Sequence, residues 1–224
     1  MREWVIPPEL CSAFVADMER VIYVYCKAYD PLNPVICIDE MPKQLIQEKR
    51  NSFVDDHGIQ YYDSEYVRAG TTNVFMAVEP LAGKRYAQVI DTKTRIDFAN
   101  FVKYVCEHYK DANKITIVCD NLVTHDYASF YEAFDPQTAS LMMTRIDIVH
   151  TPKHGSWLDM AEIELSVLSK QCLSGRIGSV GELKEALDAW LKERNKKAVK
   201  IDWHFTTENA RIKLRRLYPI YRSD

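Results

Sequence analysis

The sequence predicts an α/β protein built on a mixed sheet flanked by helices. Three observations carry this expectation. Two short, nearly continuous apolar runs, PVICIDE (34–40) and KITIVCDN (114–121), fit strands buried on both faces, and acids stand at their ends. Two strand-like segments, TTNVFMAVEP (71–80) and KRYAQVIDT (84–92), are joined by Leu81-Ala82-Gly83, a hairpin signal. Downstream, strand and helix patterns alternate, which calls for helices packed on both faces of the sheet.

Taken in order, residues 8–27 read as a helix, with Pro7 and Pro8 at its start and Phe14, Met18, Val21, Ile22 and Tyr25 at the 3.6-residue period. The turn DPLNP leads into the first strand. Residues 42–68 are polar and patternless, with a DDHG turn near Asp55, and are expected to be extended or partly mobile. After the hairpin, 94–109 forms an amphipathic helix, with Thr94 as cap and Asp97 in the capping-box position. Residues 124–143 suggest one or two short helices broken at Asp135-Pro136, followed by a strand at 145–151. Thr151-Pro152 and His154-Gly155-Ser156 form a loop. Ser156 is then the expected cap of a helix over 157–172, whose apolar face holds Trp157, Met160, Ala161, Leu165 and Leu168. A helix at 179–195 opens on a Ser179/Glu182 capping box, and a basic helix at 206–217 ends the chain.

Composition narrows the function classes. The 224 residues suffice for one domain with a real core. No apolar run approaches the ~20 residues of a membrane span, and the start MREWVIPPEL lacks a signal-peptide core. The six scattered cysteines contain no CxxC pair and read as free thiols of a reducing cytoplasm. The net charge of −3 gives no global case for nucleic acid, but residues 192–222 hold ten Lys/Arg against three Asp/Glu. That excess fits either a phosphate-binding patch or a solvated helical face.

The chemistry centres on three carboxylates. Asp39 and Asp120 end buried strands, and in open α/β sheets ligands sit beyond the carboxyl ends of such strands. Glu162 lies beside the apolar stripe of its helix. Carboxylates that meet without a basic partner repel one another, and their natural compensator is Mg²⁺ or Mn²⁺. Two such ions can hold a phosphate between them. The pattern alone fits unconnected acids at the rim of an α/β sheet better, because acids are common. Glu164 is a rival third acid, but it stands about 200° around the helix from Glu162, so the two cannot face one site. Strand alternation turns Glu40 to the face opposite Asp39.

The phrases ICIDE, VCDNLVTH and HTPKHGSWLDMAEIELSVLSKQC resemble the three signature blocks of mariner-like DDE transposases of the bacterial insertion-sequence branch. WVIPPE, FMAVEPLAGKR, TRIDFANFV and DWHFTTENARIKLRRLYP extend the resemblance over nearly the whole chain, with the weakest fit in 47–66. The resemblance implies an RNase H-like fold, the triad Asp39, Asp120 and Glu162 as catalytic and metal-binding residues, two Mg²⁺ (or Mn²⁺) ions, and DNA as partner. It implies cleavage at transposon ends and strand transfer into target DNA, a homodimer when ends are paired, and a bacterial cytoplasmic, nucleoid-associated setting. Candidate DNA contacts are His125, Lys153, His154, Arg211, Lys213, Arg215 and Arg216, with a structural histidine or a solvated cation as the competing reading. Three positions depart from the family pattern: Asp159 stands where Asn is usual, Val123 replaces a polar residue, and Met41-Pro42 replaces a Thr-Ser type pair. Asp159 lies one turn before Glu162 and can reach the same ions or add unwanted charge. The expected organisation is an N-terminal linker helix (1–30), a catalytic domain (31–195) and a basic tail helix (196–224). Family members usually begin with helix-turn-helix modules, whereas this sequence starts one helix before the catalytic core, as the second frame of a split element or a truncated product would, so binding to transposon ends is expected to be weak or supplied by another chain. The alternative is an inactive, truncated transposase that acts as a DNA-binding or partner-binding regulator.

Overall fold

The computed structural model describes residues 11–50, 53–61 and 64–219. Five strands form one sheet in the order β5 (Lys84–Ile90), β4 (Tyr66–Glu79), β1 (Val35–Glu48), β6 (Ile115–Cys119) and β7 (Ile146–His150). β1, β6 and β7 are parallel, with Ile38 opposite Cys119 and Cys119 opposite His150. β4 runs antiparallel to both β1 and β5. The mixed sheet expected from the strand patterns is therefore present, with the two acid-ended strands side by side.

β1 does not stop at the acids. It continues to Glu48, and β4 begins at Tyr66, so both ends of the segment expected to be irregular belong to an antiparallel arm pairing Glu40 with Phe75 and Glu48 with Tyr66. The ladder shifts register between Gln44 and Ile46. Beyond the arm lies a small hairpin of β2 (Phe53–Val54) and β3 (Gln60–Tyr61), turned by Asp55, whose carboxylate accepts from the His57 and Ile59 amides. The arm hides from a pattern search because residues 66–71 are all exposed, so no buried face imposes an alternation.

Helices cover both faces. On one side α2 (Arg95–Cys106), α3 (Ala128–Ala133) and α4 (Pro136–Arg145) pack Phe98, Phe101, Val105, Phe130 and Ala139 against Ile36, Ile38 and Phe75. Thr94 and Asp97 form the expected capping box of α2, and Asp135 caps α4 with Pro136 behind it. On the other side α1 (Ser12–Tyr25) packs against Cys37, Val118 and Val149, together with residues of α5 (Met160–Gln171) and α7 (Thr207–Lys213). The part of the first predicted helix before Cys11 lies outside the described residues. α6 (Val180–Lys197), capped by Ser179, closes a third apolar cluster with α5 over Val74, Met76 and Val78.

Two helix ends differ from expectation. The last helix breaks at Leu214 into a 3-10 turn, Arg215–Leu217, that buries Leu217 while Ile212 faces solvent. α5 starts at Met160, not Trp157, because residues 156–158 form a separate 3-10 turn and the chain re-enters the helix through an extended Asp159. Its cap is Asp159, whose Oδ1 accepts from the Ala161 amide, and not Ser156. The six cysteines are free thiols, with Cys37 and Cys119 buried. Among the described residues no helix is long and apolar enough to cross a membrane.

Candidate active site

Asp39 is the fifth residue of β1, and Asp120 directly follows β6. Because β1 and β6 are parallel in the register Ile38–Cys119, the two aspartates are neighbours at the carboxyl end of the pair. By strand alternation Asp39 shares the face of Cys37, which is the face covered by α1 and α5. Glu162 sits in the first turn of α5. Burial pushes the Asp39 carboxyl up to about 7, against the Glu40 amide that donates to it at 2.8 Å, and the charges of Glu40, Asp120 and Glu162 push it further. Burial likewise raises Glu162, opposed by a hydrogen bond with Ser156 and assisted by Asp120. The three sequence-predicted acids are thus one electrostatic unit.

Asp159 belongs to that unit. It is 1% exposed, and its Oδ2 is buried without a partner while Oδ1 caps α5. Burial drives its carboxyl well above the usual range, and Asp39, Glu162 and Asp120 add to the rise. Carboxylates that raise one another in this way call for a cation. All the donors are carboxylate oxygens, the set that Mg²⁺ and Mn²⁺ prefer, so the residues fit such an ion in kind. As placed, the side chains stand open: no group of three or more potential ligands among the described residues is closed around a metal position.

Glu164 turns the other way, as its helical offset requires. It is buried between Arg85 (Nη2 at 3.0 Å) and Arg194 (Nε at 2.5 Å), which hold its carboxyl below the usual range despite burial. The pair of arginines ties α5 to β5 and α6, a connection that the sequence does not announce because the partners lie 79 and 30 residues away.

The candidate DNA contacts separate into groups. Lys153 and His154 are exposed in the loop after β7, at the same end of the parallel strands as Asp120. Lys213, Arg215 and Arg216 are exposed on the tail. Arg211 is instead held by both oxygens of Glu19 on α1, at 3.0 and 3.1 Å. His125 is 1% exposed and does not face solvent or a phosphate path. Its Nδ1 lies 2.6 Å from Asp120 Oδ1, its Nε2 lies 3.3 Å from Glu40 Oε2, and its ring stacks on Phe98. Burial opposes charge on this imidazole, but Asp120, Cys119 and Glu40 push it up to about 12. Trp157 is half-buried against Phe205, as an anchor of the α1 side.

A sheet of this order, with acids at the carboxyl end of its central parallel pair, is an RNase H-like core. Residues 34–184 match the family model of the DDE superfamily endonucleases, and the chain belongs to that family. The fold is that of the Mos1 mariner transposase complexes. The paired-end complex with Mg superposes with a TM-score of 0.60 at 13% identity, covering 98% of this chain and 67% of that one. The paired-end complex with Mn gives 0.58 at 16%, covering 93% and 63%, and the strand transfer complex gives 0.55 at 15%, covering 89% and 64%. The chain therefore spans about two-thirds or less of the length of those proteins. No curated protein matches this chain in sequence.

Proposed function

We propose that residues 31–195 are the catalytic domain of a metal-dependent transposase, in which Asp39, Asp120 and Glu162 bind Mg²⁺ or Mn²⁺ and act on the DNA phosphodiester backbone. The observation that carries this reading is the gathering of three acids, distant in sequence, at one end of the sheet, where burial first and the neighbouring carboxylates second raise Asp39 to about 7. A pair of divalent ions, when bound there, supplies charge neutralisation at the reacting phosphate and a more acidic attacking oxygen. Asp39 and Asp120, fixed on adjacent rigid strands, set one edge of the site. Glu162, carried on a separate helix, sets the other. Two reactions follow from one such site, hydrolysis at a transposon end and attack of the freed 3′-hydroxyl on target DNA, because both are phosphoryl transfers.

Lys153 and His154 stand at the rim where the DNA backbone would pass, and Lys213, Arg215 and Arg216 on the tail (196–224) offer a second, salt-sensitive contact. The Mos1 structures are complexes with a transposon end and a strand transfer complex, which supports DNA as partner and, with two ends to be paired, a homodimer. The test is Mn²⁺ binding and nicking of supercoiled DNA by wild type and Asp39→Asn. The expected result is metal-dependent nicking that disappears in the folded variant. Nicking retained by Asp39→Asn would overturn the reading.

A further inference from the structure

Glu40 does not reach the carboxylate unit directly, because strand alternation puts it on the α2 side of the sheet while Asp39 faces α5. His125 bridges the two sides. The chain leaves β6 at Cys119, turns through DNLVTH, and is pinned there by hydrogen bonds. The His125 amide donates to the Leu122 carbonyl, the His150 ring contacts the His125 carbonyl, and the Ser129 hydroxyl donates to the Thr124 carbonyl. The imidazole is thereby held between two carboxylates, 2.6 Å from Asp120 Oδ1 and 3.3 Å from Glu40 Oε2. Stacking on Phe98, at 4.4 Å between ring centroids, fixes the plane of the ring. Glu40 is itself 4% exposed at its side chain, with Lys93 Nζ 3.8 Å from Oε1. Asp120 Oδ1 also accepts from the Leu122 amide at 3.3 Å.

Oδ1 of Asp120 is therefore committed to the turn, which fixes the rotation of the carboxylate and the direction of Oδ2. We propose that Glu40 and His125 are positioning residues that hold the Asp120 carboxylate oriented for the metal, through a chain of contacts that crosses the sheet. This inference rests on the proposed role of the three acids. Such a chain explains a buried acid, Glu40, that lies beside the site and has no path to it. It also explains a buried histidine whose two nitrogens both face acids. Partners that orient a ligating side chain typically change metal affinity by about 10–100-fold when removed.

The experiment is Mn²⁺ titration of the DNA-free chain, followed by electron paramagnetic resonance, for wild type, Asp39→Asn, His125→Phe, His125→Asn and Glu40→Gln. Phe keeps the ring on Phe98 and removes both nitrogens. Asn restores a donor near the Nδ1 position. His125→Phe is expected to weaken Mn²⁺ binding by about 10–100-fold under conditions where the variant is still folded, His125→Asn to recover most of the loss, and Glu40→Gln to fall at the lower end of that range. Wild-type affinity in His125→Phe, alongside lost binding in Asp39→Asn, would overturn the positioning role alone. Equal binding by wild type and Asp39→Asn would overturn the triad and the positioning role with it. Should His125→Phe fail to fold, Glu40→Gln decides: unchanged affinity overturns the proposal. A nitrogen-resolved nuclear magnetic resonance spectrum of the metal-free chain supplies a readout independent of metal. The His125 ring proton facing Asp120 is expected in wild type and lost in Asp120→Ala, which removes the acceptor, and a signal insensitive to that substitution overturns the contact on which the chain of residues depends.

Discussion

The charge carried by Asp39 should make the metal-free protein less stable as pH rises. Its carboxyl titrates at about 7 in the fold against an ordinary value of 3.8. A carboxyl raised on folding contributes stability that is fully present below its unfolded value and is lost as pH rises through the folded one, so the window runs from about pH 4 to about pH 7. At about 1.36 kcal/mol per pH unit, the rise corresponds to a loss of up to roughly 4 kcal/mol. For a chain of this size that is on the order of 10 °C in Tm. Above about pH 6.5, His125 adds a decline of the same sign, because it stays protonated in the fold while the unfolded histidine does not. Asp39→Asn retains that second contribution and removes the first. The assay is therefore the difference between the unfolding curves of wild type and Asp39→Asn in chelator, from about pH 4 to about pH 9. The variant should gain on wild type by a few kcal/mol as pH rises to about 8, with no further gain above it. Ligands must be deprotonated to hold a metal, so Mn²⁺ binding to wild type near pH 7 should release about half a proton from Asp39 alone, falling towards none near pH 9. A flat difference curve, or binding without proton release at neutral pH, would refute the account of Asp39 as a buried carboxylate held for a cation.

Three further outcomes test the surrounding structure. Glu164→Gln leaves Arg85 buried without its counter-charge and should cost about 3–5 kcal/mol in urea unfolding; a loss under 1 kcal/mol would mean that the arginines find other acceptors. Asp159→Asn keeps an α5 cap and removes a buried carboxyl whose Oδ2 has no partner and which folding can hold at about pH 8 only at a cost, so it should stabilise the metal-free chain by about 1–3 kcal/mol in the same assay. In the tail, Leu217→Ala should cost about 2–5 kcal/mol, since Leu217 is fully buried, while Ile212→Ser should stay within about 0.5 kcal/mol because Ile212 is 76% exposed.

What was legible in the sequence follows from how far each signal reaches. Asp39 and Asp120 could be placed because each follows a run buried on both faces, and a buried strand shows in composition alone. Glu162 could be separated from Glu164 by helical geometry, and the structure sends Glu164 to Arg85 and Arg194 as that geometry requires. The arm formed by the outer parts of β1 and β4 was not legible, since β4 there is exposed on both faces and its partner is distant in sequence. The cap of α5 was misassigned because Ser156 follows a turn, as a cap should. Only the extended backbone at Asp159 shows that the helix starts three residues later than read. The contact of His125 with Asp120 has a local signal in the sequence. Asp120 and His125 are five residues apart across a tight turn, a spacing that returns one side chain onto the other.

The departure at Asp159 and the bridge at His125 bear on the same physical problem from opposite sides of the sheet. On the α5 side, Asp159 adds a fourth acid to three that already repel one another, and nothing but a cation or a proton can offset it there. On the α2 side, Glu40 brings a fifth acid, but His125 and Lys93 face it, so its charge is compensated within the protein. The sheet therefore divides the acids into one acid answered by His125 and Lys93 behind, Glu40, and a cluster in front that gathers more charge than the protein answers. Charge that is answered by the protein can orient; charge that is left unanswered can bind. This division makes the front face, and not the acidic region as a whole, the place where divalent ions should collect. Glu40→Gln and Asp159→Asn should then act differently on metal binding, the first through the orientation of Asp120 and the second through the charge of the cluster. Calorimetric proton release on Mn²⁺ binding near pH 7 would separate them, because removing the Asp159 carboxyl lowers the number of protons displaced and a lost orientation does not. Equal proton release in the two variants would show that both acids act as bulk charge and that the division by the sheet has no functional meaning.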